Sequence, residues 1–168
     1  MINLEQLSKI DIEKEFIDLN FQVNNKKGLE LALLNLGAKK YLKLFIYSHH
    51  LKSNKDSNLV KVSYVNGYIF YPERTRTCIY TEIDNSEIFN GDWTEEILEY
   101  YIQEQKLHRV DFEIKEREVY ILNNVQYEIN TFRHEKLSIN LKISGRSKAV
   151  AKSLEDLTSY SFQHSLSL

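Results

Sequence analysis

From residue 137 to residue 144, Leu137, Ile139, Leu141 and Ile143 alternate with Ser138, Asn140, Lys142 and Ser144. This is the two-residue period of a strand with one buried and one wet face. Similar runs at 110–115, 118–122 and 125–131 precede it, with Asn123-Asn124 as a tight-turn pair. The stretch 110–144 therefore predicts consecutive antiparallel strands. A sheet of this kind has an apolar face to cover and edges to hide, and the rest of the chain has to supply both.

The covering elements read as helices. Asn3 with Gln6 fits a capping pair, and Leu4, Leu7 and Ile10 share one side of a helix over about 3–14. Asp92-Trp93-Thr94-Glu95 opens a helix over about 93–107, whose apolar side carries Trp93, Ile97, Leu98, Tyr101 and Ile102. After Gly145, a third helix over about 147–158 uses Ala149, Val150, Leu154 and Leu157, and residues 159–168 read as a frayed tail. Further strands are expected at 19–23, 41–47, 60–65, 68–71 and 74–83. Asn66-Gly67 reads as a hairpin turn and Pro72 as a strand end. The polar run 49–58 reads as a loop. Residues 29–36 read as a strand paired with 19–23 across Asn24-Asn25-Lys26-Lys27-Gly28, with a short helix ending at Gly37 as the alternative. The expected fold class is α+β, one domain over 1–168, with an antiparallel and strongly curved sheet covered by helices on one side.

Composition sets limits on function. The 168 residues are 42% hydrophobic and 27% charged, with net charge −2, the balance of a soluble globular domain. Eleven tyrosines suit half-buried strand faces and equally suit a contact surface. Cys78 is the single cysteine, which excludes an internal disulfide, and no apolar run reaches membrane-spanning length. The first residues lack a basic and apolar signal pattern. A cytoplasmic location is expected, a virus or phage particle being compatible with it, without membrane partners.

The chemistry-bearing residues are few. In Asp111-Phe112-Glu113-Ile114-Lys115 the three charged side chains share one strand face, and two carboxylates with an ammonium can hold a divalent metal and polarise a phosphate or a water. The triplet resembles the acidic-x-acidic-x-Lys strand of triphosphate tunnel enzymes, and Glu113-Ile114-Lys115 resembles the catalytic strand of PD-(D/E)xK nucleases. The first resemblance implies inward-facing Arg and Lys on neighbouring strands, for which Arg74, Arg76 and Lys142 are the candidates. Its motif also lies near the N-terminus, and here it does not. The second implies an upstream Asp, for which Asp92 is nearest, although Asp92 is accounted for as a helix cap. A second nuclease-like register pairs Asp111 with Asn140-Leu141-Lys142, where Asn in place of a carboxylate weakens metal binding.

Between residues 133 and 152, Arg133, Lys136, Lys142, Arg146, Lys148 and Lys152 face only Glu135. Lys142, Arg146, Lys148 and Lys152 are the candidate anion or nucleic-acid contacts, through phosphates and the start of the last helix. The pI near 6.2 weighs against a nucleic-acid binder. His49-His50 lacks metal-ligand spacing, the five glycines are isolated, and no nucleophile motif is present. No metal and no cofactor is expected. The expected function is a non-catalytic interaction or assembly module using a Tyr-rich sheet surface or edge, with a protein partner or a second copy. The alternatives are a metal-dependent phosphoryl-transfer or nuclease enzyme built on Asp111, Glu113 and Lys115, and nucleic-acid binding through 133–152.

Overall fold

The computed structural model describes residues 15–55, 58–70, 75–83, 87–90, 95–133 and 137–168, with side chains described everywhere except at 87–90. The elements run β1 (Phe16–Gln22), α1 (Lys26–Asn35), β2 (Lys39–Ser53), β3 (Leu59–Ile69), β4 (Arg76–Ile83), β5 (Glu87–Asn90), α2 (Glu95–Glu104), β6 (Leu107–Leu122), β7 (Val125–Arg133), β8 (Leu137–Arg146) and α3 (Ser147–Gln163). The strands form one sheet in the order β1-β8-β7-β6-β2-β3-β4-β5, every neighbour antiparallel. The fold is α+β with a curled, unclosed sheet, as the alternation at 137–144 predicts.

The outer face of this sheet carries the helices. Tyr127, Ile129, Leu141, Ile143 and Phe21 meet Leu29 and Leu33 of α1 and Val150, Leu154 and Leu157 of α3 in the largest apolar core. A second core joins Leu51, Val62, Ile83 and Leu107 to Leu98 of α2. On the opposite face Leu44, Ile46 and Val65 form a third cluster to which no described helix contributes. They are buried nonetheless on this inner face.

Several elements depart from the sequence reading for identifiable reasons. Residues 29–36 are helical. Asn25 caps α1, its Oδ1 accepting from the Gly28 amide at 2.9 Å, and the buried set is Leu29, Ala32 and Leu33, a helical spacing that overrides the alternation of leucines. Leu31, expected to pack in a strand, is 52% exposed. Asn66-Gly67 makes no turn and lies inside β3. A Cβ at Gly67 would stand 2.1 Å from the Lys43 carbonyl oxygen, so glycine here serves the close approach of β2. His49–Ser53, read as loop, continues β2, whose polar side chains lie against β6 and β3. The strands expected at 110–115 and 118–122 are one strand, β6. Asn123 and Asn124, with φ of 50° and 64°, form the expected tight turn into β7.

The helix α3 runs past Thr158 to Gln163. Leu168 is buried in the main core and its carbonyl accepts from the Asn24 amide at 2.9 Å, so the end expected to fray is pinned. The described part of the central helix spans Glu95–Glu104. The expected helix over 3–14, together with Arg74, Asp92 and Trp93, lies outside the described residues. No described helix is long and apolar enough to cross a membrane.

Candidate active site

Cross-strand register places the charged residues of β6 on two faces. Odd positions Glu113, Lys115 and Arg117 pair with Ser48, Ile46 and Leu44 of β2 and point to the inner face. Even positions Glu116, Glu118 and Tyr120 point to the outer face, beneath the start of α1. Sequence reasoning broke the strand at 116–117 and so missed this partition. The signal was present, since Lys115, Glu116, Arg117 and Glu118 alternate in sign without a turn residue between them.

On the inner face the rows across the sheet are specific. Glu113 lies in register with Ser48, Ser63 and Glu82, and the two buried serine hydroxyls share a 2.8 Å hydrogen bond. The next row holds Phe132, Lys115, Ile46, Val65 and Tyr80. The row after that holds Asn140, Asn130, Arg117, Leu44, Gly67 and Cys78. Arg117 is held rigidly, its Nε 2.6 Å from Glu128 and 3.1 Å from the Asn130 side-chain oxygen.

Lys115 is different. It is only 9% exposed, and among the described residues no carboxylate lies within ion-pair distance of it. Its ammonium stands 5.5 Å from the centroid of the Phe132 ring. Burial, and then the charges of Arg117 and Lys61, push its pKa below the ordinary lysine value, against the weaker pull of Glu113 and Glu128. The Lys115 stem is thus packed into the sheet while its ammonium feels two other cations, Arg117 and Lys61, and two carboxylates, Glu113 and Glu128.

The sequence-predicted residues are distributed as follows. Glu113 and Lys115 share the inner face as expected. Asp111 lies on the same side in register with His50, but at the exposed end of the strand. A bulge at Val110 disturbs the pairing there, and one Asp111 oxygen accepts from the adjacent Phe112 amide at 2.8 Å. The bulge also turns Arg109 to the outer face, where it pairs with Glu95 and Glu99 of α2. Arg76 stands on the inner face in register with Ile69, well exposed.

The basic segment is divided by the sheet. Lys142 is on the inner face 3.9 Å from Asp18, and Arg146 on the same face ends β8. Lys148 and Lys152 are exposed on α3, which packs on the outer face. The first amide of α3 already donates to the Glu15 carbonyl. Asn140 is exposed and in register with Gln22, far from Asp111 in the sheet order. Lys61, Arg117 and Glu128 were missed as site residues because they gather only through non-local pairing.

Among the described residues, no group of three or more His, Cys, Asp or Glu could hold a metal ion. The inner face presents Glu113 and Glu82 singly, on either side of the Ser48–Ser63 pair.

No family model matches the chain and no curated protein matches it. Solved structures resemble it over most of its length. A Pyrococcus horikoshii protein is 18% identical, with 90% of this chain and 91% of that one covered and a TM-score of 0.46. A candidate adenylate cyclase from Vibrio parahaemolyticus is 9% identical, with 92% and 90% covered and a TM-score of 0.46. A candidate adenylyl cyclase from Hippeastrum, described as having a dominant triphosphatase activity, is 10% identical, with 92% and 98% covered and a TM-score of 0.45. The expectation of a non-catalytic interaction module is corrected at this point. Two of the solved structures that it resembles are described as cyclases, one of them with a triphosphatase activity, and of the tyrosines Tyr120 and Tyr127 are buried in the core while Tyr68 and Tyr100 are exposed.

Proposed function

We propose that this chain is a phosphoryl-transfer enzyme whose inner sheet face takes an extended phosphate polyanion, a triphosphate group entering as its Mg²⁺ complex. The observation that carries the reading is Lys115, buried, ionisable and without a carboxylate partner among the described residues. A lysine whose stem is packed and whose ammonium has no carboxylate partner keeps its three N–H donors for an incoming phosphate oxygen. Partial shielding from water strengthens that attraction.

Each residue takes a role from its position. Lys115 contacts a non-bridging phosphate oxygen as a point charge. Arg117, fixed by Glu128 and Asn130, offers its remaining N–H groups to a second phosphate. Lys61 extends the positive track across the sheet. Mg²⁺ is commonly held by one or two carboxylates together with substrate phosphates, and Glu113 would supply one without a preformed cage. Positioning with charge stabilisation is what phosphoryl transfer asks of a protein. Lone Cys78 fits a reducing compartment, consistent with cytoplasmic action on a nucleotide or inorganic triphosphate.

The test is phosphate release from tripolyphosphate and from ATP, with Mg²⁺ and then with EDTA. Turnover that needs Mg²⁺, and that Glu113→Gln abolishes while leaving the fold intact, supports the proposal. Absence of both turnover and saturable tripolyphosphate binding refutes it.

A further inference from the structure

Beside α2, the outer face of the sheet is lined with rings. Tyr47 of β2 lies in register with Tyr64 of β3 and Ile114 of β6, and His49 with Val62 and Phe112. The Tyr47 and Tyr64 ring centroids are 6.2 Å apart, and those of His49 and Phe112 are 4.8 Å apart. Tyr47, His49 and Tyr64 are half-buried and Phe112 is 41% exposed. Two adjoining hollows open over them. One, of about 210 Å³, is bounded by these four rings and by Glu95 and Leu98 of α2. The other, of about 440 Å³, shares His49, Glu95 and Phe112 with it and runs out over Arg109, Val110 and Asp111 at the bulged end of β6. Together they make one cleft with an aromatic floor and a helix for a wall.

The charges around the cleft select its ligand. Arg109 pairs with both Glu95 and Glu99, so the rim carries one more carboxylate than cation. The start of α2 adds a partial positive charge, which Glu95 and Glu96 in its first turn offset. Burial, opposed by Glu95 and aided by Arg109 and His50, pushes the His49 pKa below the ordinary histidine value, so the floor is uncharged at neutral pH. Aromatic faces are electron-rich and attract cations, and they offer no acceptor to replace the water around a primary ammonium. A quaternary ammonium has no N–H groups to satisfy and presents a large, weakly hydrated charge to the rings.

We propose that this cleft binds a small quaternary ammonium compound, its alkylated nitrogen seated over the rings of Tyr47, Tyr64 and Phe112 with Glu95 at its edge. The narrower hollow takes a trimethylammonium head, and the wider one takes the remainder of the molecule. A choline lipid carries a phosphate next to its head group, which Glu95 and Glu99 would repel, so the ligand is a free cation. The site lies on the face of the sheet opposite Lys115 and Arg117 and is separate from the proposed phosphate site.

Titration of the full chain with choline, followed by the amide shifts of residues 47–49, 64 and 110–112, tests this. Saturable shifts confined to those residues are expected. The neutral carbon isostere 3,3-dimethylbutan-1-ol is expected to bind about tenfold or more weakly than choline. Phe112→Leu, at an exposed position, and Glu95→Gln are each expected to weaken choline binding about threefold or more, whereas Arg109→Gln removes the competing cation and is expected to strengthen it. No saturable shift up to about 100 mM choline overturns the proposal. So does equal binding of the isostere, or choline affinity that neither Phe112→Leu nor Glu95→Gln changes. Phosphatidylcholine vesicles are expected to leave the same shifts unmoved, and vesicle binding that Phe112→Leu abolishes overturns the assignment to a free ligand. None of these readouts involves phosphate release, so the cleft and the proposed reaction stand or fall separately.

Discussion

The two faces of β6 are built from the same alphabet of Glu, Lys and Arg and arrive at opposite states. On the outer face Glu118 and Glu116 are enclosed by Lys26, Lys40 and Arg133, and each ionised carboxylate has a cation within ion-pair distance. On the inner face, one residue away along the chain, the Lys115 stem is packed and its ammonium has no such partner among the described residues. The contrast separates two uses of buried charge. A paired cluster fixes where α1 docks and sets the register of helix on strand. An ammonium without such a partner adds no ion pair to the fold and, on the proposed function, is the group that meets the phosphate.

The contrast gives predictions of opposite sign. The largest concerns the outer face. Glu118→Ala strips both ammoniums of their partner and is expected to cost about 3 kcal/mol, read as a lower urea midpoint, because breaking a buried pair strands the remaining charges. A change under about 0.5 kcal/mol would place this cluster with ordinary surface pairs.

A smaller effect follows from titration. Burial raises the folded-state pKa of Glu30 above its unfolded value of about 4.3, so its stabilisation is complete below that value and is lost as the pH rises through about 7. Glu118, with its pKa held low against burial by Lys26 and Lys40, contributes above the ordinary carboxyl range, and that part is lost only in strong acid. Between pH 4.5 and pH 7 the wild type is expected to lose about 1 kcal/mol that Glu30→Gln does not lose, after allowance for solvent screening. Denaturant melts across that interval check it, and parallel slopes for the two proteins would break the assignment.

The smallest effect belongs to Asp111. Exposed at the strand end and occupied in part with the Phe112 amide, it is expected to change stability by less than about 0.5 kcal/mol on Asp111→Asn. Tripolyphosphate binding should weaken less than it does on loss of Lys115. A binding loss as large as that of Lys115 would extend the site to the bulged end of β6.

How much of this was legible in the sequence depends on whether the information was local. The strand at 137–146, the turn at Asn123-Asn124 and the helix after Gly145 follow from periodicity and backbone chemistry within a few residues. The errors came where local signals had two readings. Asn25 and Gly28 serve a turn or a helix start equally well, and only burial of Leu29, Ala32 and Leu33 decides for the helix. Asn-Gly at 66–67 serves a turn or a close strand approach, and the Lys43 carbonyl decides.

Of the candidate site, the shared face of Glu113 and Lys115 was readable from alternation. That Lys115 would have no carboxylate partner among the described residues was not readable, nor was the placing of Arg117 and Asn130 in the row next to it. Those depend on which strands become neighbours.

The most direct test of the central claim is Lys115→Met, measured for stability and for tripolyphosphate binding on the same preparation. Methionine keeps the length of the side chain and removes the charge. The account predicts a protein at least as stable as the wild type, by up to about 1 kcal/mol, with tripolyphosphate affinity reduced tenfold or more. A variant that loses stability and binds tripolyphosphate as the wild type does would contradict it, because Lys115 would then be a structural charge like Glu118.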